Sequence, residues 1–510
     1  MGETPVVIVG AGIGGLVAAL TLAARGVSVR VFEKAAVPGG KMRTVAPGGR
    51  PIDAGPTVLT MKAVFEDIFA AAGASFDALV PTRPAAVLAR HWWGTDGPLD
   101  LYADRERSAA AIGAFAGARA ADDYRRFCAE TKSVFETLDR SFIRAERPTP
   151  VSLVTGAGLK GLAGLWRIRP FETYWQALQR FFQDARLRQL FGRYATYCGS
   201  SPFECPATLM LVAHVEQAGV WYVEGGMVRL AEALAALARK AGADIRCNAG
   251  VAEIVTDGGR ACGVVLDTGE RVAARAVIHN GDEAAIRTRR LGAGVANAIP
   301  TEAANRSLSA VTFCLEAETA GVDLSRHGVF FSADYKREFD EILGERRLPS
   351  DPTVYVCAQD RLDGAPPSTG RERLLLLVNA PADGDTRPPS QGDLDRCLET
   401  TIAKLASSGL TLTSATTPVT TGPREFAAMF PATGGALYGR ASHGWKASFA
   451  RPASRTAIPG LYLAGGSVHP GPGVPMAALS GLNAASNAIA DLGSTSRWSR
   501  AATSGGTSTG

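Results

Sequence analysis

The chain has 510 residues, of which 46% are hydrophobic and 20% charged, with a formal net charge of +5. That balance supplies apolar material for more than one core and excludes disorder over most of the length. So small a charge gives no reason to expect a nucleic-acid partner, and eight cysteines with no C-x-x-C pair argue against a disulfide scaffold or a zinc site, so no metal is expected.

Val6 to Val9 is a short, wholly apolar, β-branched run that predicts a buried parallel strand. Gly10-Ala11-Gly12-Ile13-Gly14-Gly15 follows at once, then a helical periodicity from Leu16 to Arg25 that ends at Gly26. Val27 to Phe32 predicts a second strand, closed by Glu33. Strand, glycine turn, helix, strand and acid in this order predict a dinucleotide site. Gly10 serves the tight turn, Gly12 the approach of backbone to a pyrophosphate, Gly15 the close packing of helix on strand, and Glu33 a ribose hydroxyl. Pro38 to Thr44 and Asp53 to Thr57 supply a second glycine turn with cations, suited to a second approach to the same cofactor.

No apolar run in the chain reaches the ~18 residues of a membrane-spanning helix. Gly161 to Phe182 mixes Trp166, Phe171, Tyr174, Trp175, Phe181 and Phe182 with Arg167, Arg169 and Arg180. Aromatics beside cations suit a membrane interface, and equally a buried helix pair with a solvated basic edge. Met227 to Ala241 predicts an amphipathic helix ending at Gly242. Short strands follow at Ile245–Cys247, Val251–Val255, Ala261–Leu266, Glu270–Ala273 and Ala276–His279. At the far end, Gly460 to Gly466 reads as a buried strand entering a glycine turn. A Gly/Pro loop to Met476 then opens a small-residue helix from Ala477 to about Leu492. Residues 493–510 predict a disordered tail.

With these segments in view the chain resembles the bacterial phytoene desaturase family, the FAD-dependent carotenoid desaturases. The likeness rests on VVIVGAGIGGL, EK…PGGKMRT, DAGPTVLT and LYLAGGSVHPGPGVPMAALSG. Residues Arg193 to Pro202 and Gly219 to Met227 resemble the branch acting on hydroxylated or methoxylated acyclic carotenoids. The resemblance implies FAD held by Gly10, Gly12, Gly14, Gly15, Glu33, Lys34, Gly40, Lys41, Thr57 and Val58. From later in the chain it adds Val251, whose backbone would meet the adenine, Asn280, Gly465, Gly466, Gly473, Val474, Pro475 and Met476. Asn280-Gly281-Asp282 stands where the family has Asn-Ala-Asp.

Tyr194, Tyr197, Trp221 and Tyr222 are candidates to line a polyene tunnel, and ordinary core packing would explain each as well. No nucleophile or acid–base constellation is evident. A flavin would carry the redox chemistry while the protein supplies position and environment. Asp139 and Arg140 are the two polar catalytic candidates, against the alternative of a solvated helix face.

The expected fold is α/β. A Rossmann-like FAD-binding domain (1–85, 215–285 and 440–492) carries a parallel sheet and a β-meander. A discontinuous α+β substrate domain adds a helical, membrane-facing region at 86–214 and a sheet at 286–439. The implied activity is desaturation of an acyclic carotenoid, most specifically 3,4-desaturation of a 1-hydroxy- or 1-methoxy-carotenoid. Oxygen or a quinone would be the electron acceptor, and the protein would sit in the cytoplasm at a membrane surface. Phytoene desaturation, carotenoid isomerisation or saturation, and a non-catalytic lipid-binding escort are the alternatives. The intact glycine segments at both ends argue against the escort.

Overall fold

The computed structural model describes residues 3–147, 149, 169, 171–300, 305–362 and 370–503, with side chains as far as 493 except at 448. Its nucleotide-side sheet has five parallel strands in the order Asp244–Arg246, Val29–Phe32, Val6–Val9, Ala276–His279, Leu461–Leu463. Val6 is paired with Val29 on one side and Ala276 on the other, so the first strand lies central in the sheet. Its Val6, Val7 and Ile8 are wholly buried, as a continuous apolar run in a parallel sheet requires. Each such side chain contributes about 1.5–3 kcal/mol by leaving water.

The helix Ile13–Ala23 begins at the glycine turn and packs on Val228–Lys240 and on the C-terminal helix Val474–Thr503. That last helix starts three residues before, and runs well beyond, its expected limits. Residues 493–503, expected as the start of a disordered tail, continue it as backbone helix. The meander Val251–Asp257, Arg260–Leu266, Arg271–Ala273 is antiparallel and lies against the sheet.

A second sheet follows the order Leu410–Thr413, Ser309–Gly321, Glu372–Ala380, Val354–Ala358, His327–Phe330, Val87–Trp92, Leu99–Tyr102, with Val419–Thr421 also paired to Ser309–Gly321. Its pairs are antiparallel except His327–Phe330 with Val87–Trp92. One face packs under the helix Gln391–Ser407 through Leu374, Leu376, Val378, Val354 and Val356. The other face carries Leu375, Leu377, Asn379 and Tyr355 toward a cavity. Helices Arg105–Ala116, Ala118–Leu138 and Tyr174–Phe181 close that side around Phe127, Phe181, Phe182 and Phe191.

For most of the described 161–182 aromatics this packing favours the buried of the two readings. Tyr174, Phe181 and Phe182 are core residues, because a Thr173–Gln176 capping box fixes the helix start and turns its apolar face inward. Trp175 is half-buried against Phe203. Of the expected interfacial aromatics within the described residues, only Phe171 is exposed, at 79%. Trp166 lies outside them. Among the described residues no helix is long and apolar enough to cross a membrane.

Candidate active site

A single cavity of about 1370 Å³ runs from the glycine turn to the second sheet. At its first end the helix Ile13–Ala23 starts at Gly12 without a side-chain cap, so the N–H groups of its first turn face the cavity unclaimed by the helix. The C-terminal helix opens at Val474 on the same cavity. Glu33 is buried, and its two carboxylate oxygens accept from the backbone N–H groups of Ala11 (2.7 Å) and Ala35 (2.8 Å). Those bonds fix the carboxylate in the cavity wall and leave each oxygen a second lone pair for a ligand hydroxyl.

Of the expected cofactor residues, Gly10, Gly12, Gly14, Glu33, Lys34, Gly40, Lys41, Thr57, Val58 and Val251 line the cavity. So do Asn280, Gly465, Gly466, Gly473, Val474, Pro475 and Met476. Gly15 does not; it sits behind the turn, where a Cβ would lie 2.1 Å from the Gly10 carbonyl oxygen. Lys34 and Lys41 reach across to the carbonyls of Ala428 (2.7 Å) and Leu437 (2.5 Å), tying the turn to the 423–438 segment. Burial pulls the Lys41 ammonium below its usual range, with Asp282 opposing the shift and Arg451 reinforcing it.

The expected substrate residues divide. Tyr197 lines the cavity, and its 36% exposure faces that space. Tyr194 is buried behind it with its hydroxyl on Glu216. Trp221 points to the opposite side of its strand, into the nucleotide-domain core. Tyr222 stands behind His327, ring centroids 5.6 Å apart. Asp139 and Arg140 do not reach the cavity. They fall in a wide turn continuing the helix Ala118–Leu138, where Arg140 is exposed and Asp139 pairs with Arg144 at 3.1 Å, while Leu138, Phe142 and Ile143 supply the wall.

Residues 8–71 match an NAD(P)-binding Rossmann-like domain, and residues 167–489 match the flavin-containing amine oxidoreductases. A hydroxyneurosporene desaturase of Rubrivivax gelatinosus is 52% identical, covering 99% of this chain and 97% of its own. One of Cereibacter sphaeroides is 45% identical, covering 96% and 99%. The chain belongs to the carotenoid desaturase family, in its hydroxyneurosporene branch. Among solved structures, an oxidoreductase of Methanosarcina mazei aligns with a TM-score of 0.59 at 17% identity, over 94% of this chain and 99% of that one. Wild-type putrescine oxidase aligns at 0.59 and 16%, over 96% and 99%. These two likenesses show the fold.

This desaturase is a flavin-dependent oxidoreductase, and the cavity's first end fits FAD. Two helix N-termini converge there, the fixed Glu33 carboxylate keeps lone pairs that suit a ribose hydroxyl, and the buried Asn280 Oδ1 has no partner. A Cβ at Gly40 would come within 3.1 Å of Gly12 Cα, so the two turns meet as bare backbone. Residues that the sequence did not single out complete the wall. Arg451 is buried and donates to the carbonyls of Arg440 (2.7 Å), Tyr438 (3.1 Å) and Gly466 (3.3 Å). Arg193, Glu216, His327 and Tyr355 line the far half.

The far half offers little acid–base chemistry. Cys198 is pushed up to about 11 by burial and stays a thiol. Burial, then the charges of Arg326 and Arg193, pushes His327 down to about 3, so its imidazole is neutral. Burial raises the Glu216 carboxyl, against the pull of Arg193, Tyr194 and Tyr197. Among the described residues no cluster of His, Cys, Asp or Glu is placed to hold a metal ion.

Proposed function

We propose that this desaturase introduces a C=C bond into an acyclic carotenoid, specifically by 3,4-desaturation of a 1-hydroxy- or 1-methoxy-carotenoid. The carrying observation is the continuity of one cavity from the dinucleotide end to the apolar wall of Leu375 and Leu377. The substrate named for its relatives, hydroxyneurosporene, is a long hydrocarbon with one polar end, which suits such a space. Bound FAD would supply the two-electron acceptor. The chain's own part is to exclude water, hold the polyene against the sheet and fix the cofactor between the two glycine turns. Electrons would pass on to oxygen or a quinone.

Residues 1–85, 215–285 and 440–492 are proposed as the FAD-binding domain, 86–214 and 286–439 as the substrate side. The parallel sheet, which draws all its strands from the first set, supports that division. Anaerobic mixing of flavin-loaded protein with one equivalent of hydroxyneurosporene should bleach the flavin absorbance while the carotenoid bands move to longer wavelength. Unchanged flavin and carotenoid spectra would count against the reading.

We also infer a peripheral membrane position in the cytoplasm, since so apolar a substrate is confined to lipid. Phe171 and Trp445, ring centroids 5.4 Å apart, are exposed where the cavity reaches the surface, with Lys446 over the Trp445 ring and exposed Arg180 nearby in sequence. Flotation with anionic liposomes should fall about ten-fold in Phe171→Ser/Trp445→Ser, as expected for two aromatics withdrawn from an interface. Undiminished flotation would place the contact elsewhere.

A further inference from the structure

The far half of the cavity holds a buried polar group that binding a hydrocarbon does not require. His327 and Tyr355 lie on adjacent antiparallel strands and meet diagonally, on the face turned to the cavity. The Tyr355 hydroxyl bonds Thr57 Oγ1 at 2.8 Å and His327 Nδ1 at 2.7 Å. His327 is only 4% exposed, and its other ring nitrogen, Nε2, has no partner. Arg193, 6% exposed, shares the cavity wall; its guanidinium lies over the Tyr197 ring at 4.9 Å and its Nε has no partner. Leaving a buried donor or acceptor unmade costs about 1–3 kcal/mol, more for a charged group. An entirely apolar ligand would leave that cost standing. A ligand with one oxygen would offset it.

We propose that His327 Nε2 and Arg193 bind the oxygen of the substrate's end group, a hydroxyl or ether oxygen on an otherwise hydrocarbon chain. The inference rests on the desaturase reading and adds to it the residues that select the substrate. The position agrees with the chemistry. Thr57 begins the relay, and its segment is bonded to the second glycine turn through the Ala54 N–H and the Arg43 carbonyl. The relay therefore starts at the cofactor end and finishes, at His327, in the apolar half. In 3,4-desaturation of a 1-hydroxy-carotenoid the oxygen lies only a few bonds from the reacting carbons. Its partner must then stand at this junction, not at the distant end of the tunnel. A neutral imidazole can donate to, or accept from, a hydroxyl, and the guanidinium can donate to an ether as well.

The test sets the Michaelis constant for hydroxyneurosporene beside the inhibition constant for neurosporene, which lacks the oxygen, using flavin-loaded protein and liposomes. In the wild type the Michaelis constant should lie about ten-fold or more below that inhibition constant, as a site built to bond an oxygen discriminates against its absence. In His327→Leu the Michaelis constant should rise about ten-fold toward the neurosporene value, with the inhibition constant changing much less. Tyr355→Phe removes only one oxygen atom and keeps the ring. It should raise the Michaelis constant about three-fold in the same selective way, and it carries the test if His327→Leu fails to hold flavin. Equal constants in the wild type, or a parallel rise of both in the variants, would overturn the inference while leaving the desaturase reading intact. No conversion of hydroxyneurosporene by the wild type would overturn both.

Discussion

Gly15→Ala is expected to purify with little or no flavin and a lowered melting temperature. A Cβ at this position would lie 2.1 Å from the Gly10 carbonyl oxygen and 2.9 Å from Asn280 Nδ2. The first of these is backbone and cannot rotate aside. The helix Ile13–Ala23 would have to lift off the strand that feeds it, moving the Gly12 turn and its N–H groups out of register with the cofactor. Overpacking of this kind costs about 1–3 kcal/mol, and its share falling on cofactor binding weakens affinity about ten-fold for each 1.4 kcal/mol. Gly26→Ala is the matched control. Its φ is +75°, but a Cβ there meets nothing within 4 Å, so the loss is about 1 kcal/mol of backbone strain with flavin retained. The ratio of flavin to protein absorbance after gel filtration, with a melting curve, separates the two. Full flavin in Gly15→Ala would remove the steric argument.

Glu283→Ala should destabilise the fold by about 3–5 kcal/mol. Glu283 is 1% exposed and accepts from Arg287 (2.8 Å) and Arg440 (2.7 Å), while its own N–H donates to Ser467 Oγ at 3.1 Å. It thus joins the end of the strand Ala276–His279 to the 440 segment and to the C-terminal loop. Truncation leaves two guanidinium groups uncompensated, one of them, Arg440, only 10% exposed. Burial acts to raise the Glu283 carboxyl, but the hydrogen bonds from Arg440 and Arg287 prevail and hold it below its ordinary range. A depressed folded-state pKa means that the contribution is present above the unfolded carboxylate pKa and is lost as pH falls through the folded one. Urea midpoints of wild type and Glu283→Gln should therefore stay apart from pH 7 to about 4.3 and converge only below it, as the wild-type advantage disappears. Parallel curves would assign the acid sensitivity to other groups.

The parts of this molecule legible in the sequence are those encoded by neighbours in the chain. The run Val6–Val9, the glycine turn and Glu33 lie within one βαβ unit, so their signals are local and their placement follows. Most of the cofactor-end wall was legible because the segment at 460–476 carries its own glycine pattern, although the sheet brings Leu461–Leu463 beside Ala276–His279 across a long stretch of chain and Arg451 gave no signal. The far half was not legible, for reasons specific to its residues. Arg373-Leu374-Leu375-Leu376-Leu377-Val378 is apolar almost throughout, so its alternation between the core under Gln391–Ser407 and the cavity is invisible to periodicity. Arg193, Glu216, His327 and Tyr355 come singly from separate elements, and no spacing announces them. Tyr194, Trp221 and Tyr222 lie in segments that resemble the desaturase branch. Yet Trp221 turns to the other side of its strand, and Tyr194 and Tyr222 stand one layer behind the wall. Asp139 and Arg140 missed the cavity by a single turn of helix, since Leu138 and Phe142 occupy the facing positions.

Substrate choice tests whether one cavity holds flavin and a hydroxylated polyene together. Purified, FAD-loaded protein in liposomes would be given phytoene, neurosporene and hydroxyneurosporene separately, with products resolved by chromatography and their spectra recorded. A shared cavity predicts conversion of hydroxyneurosporene to a product with one more conjugated double bond, and little turnover of the other two. Conversion of phytoene alone, or of none of the three with flavin bound, would contradict it.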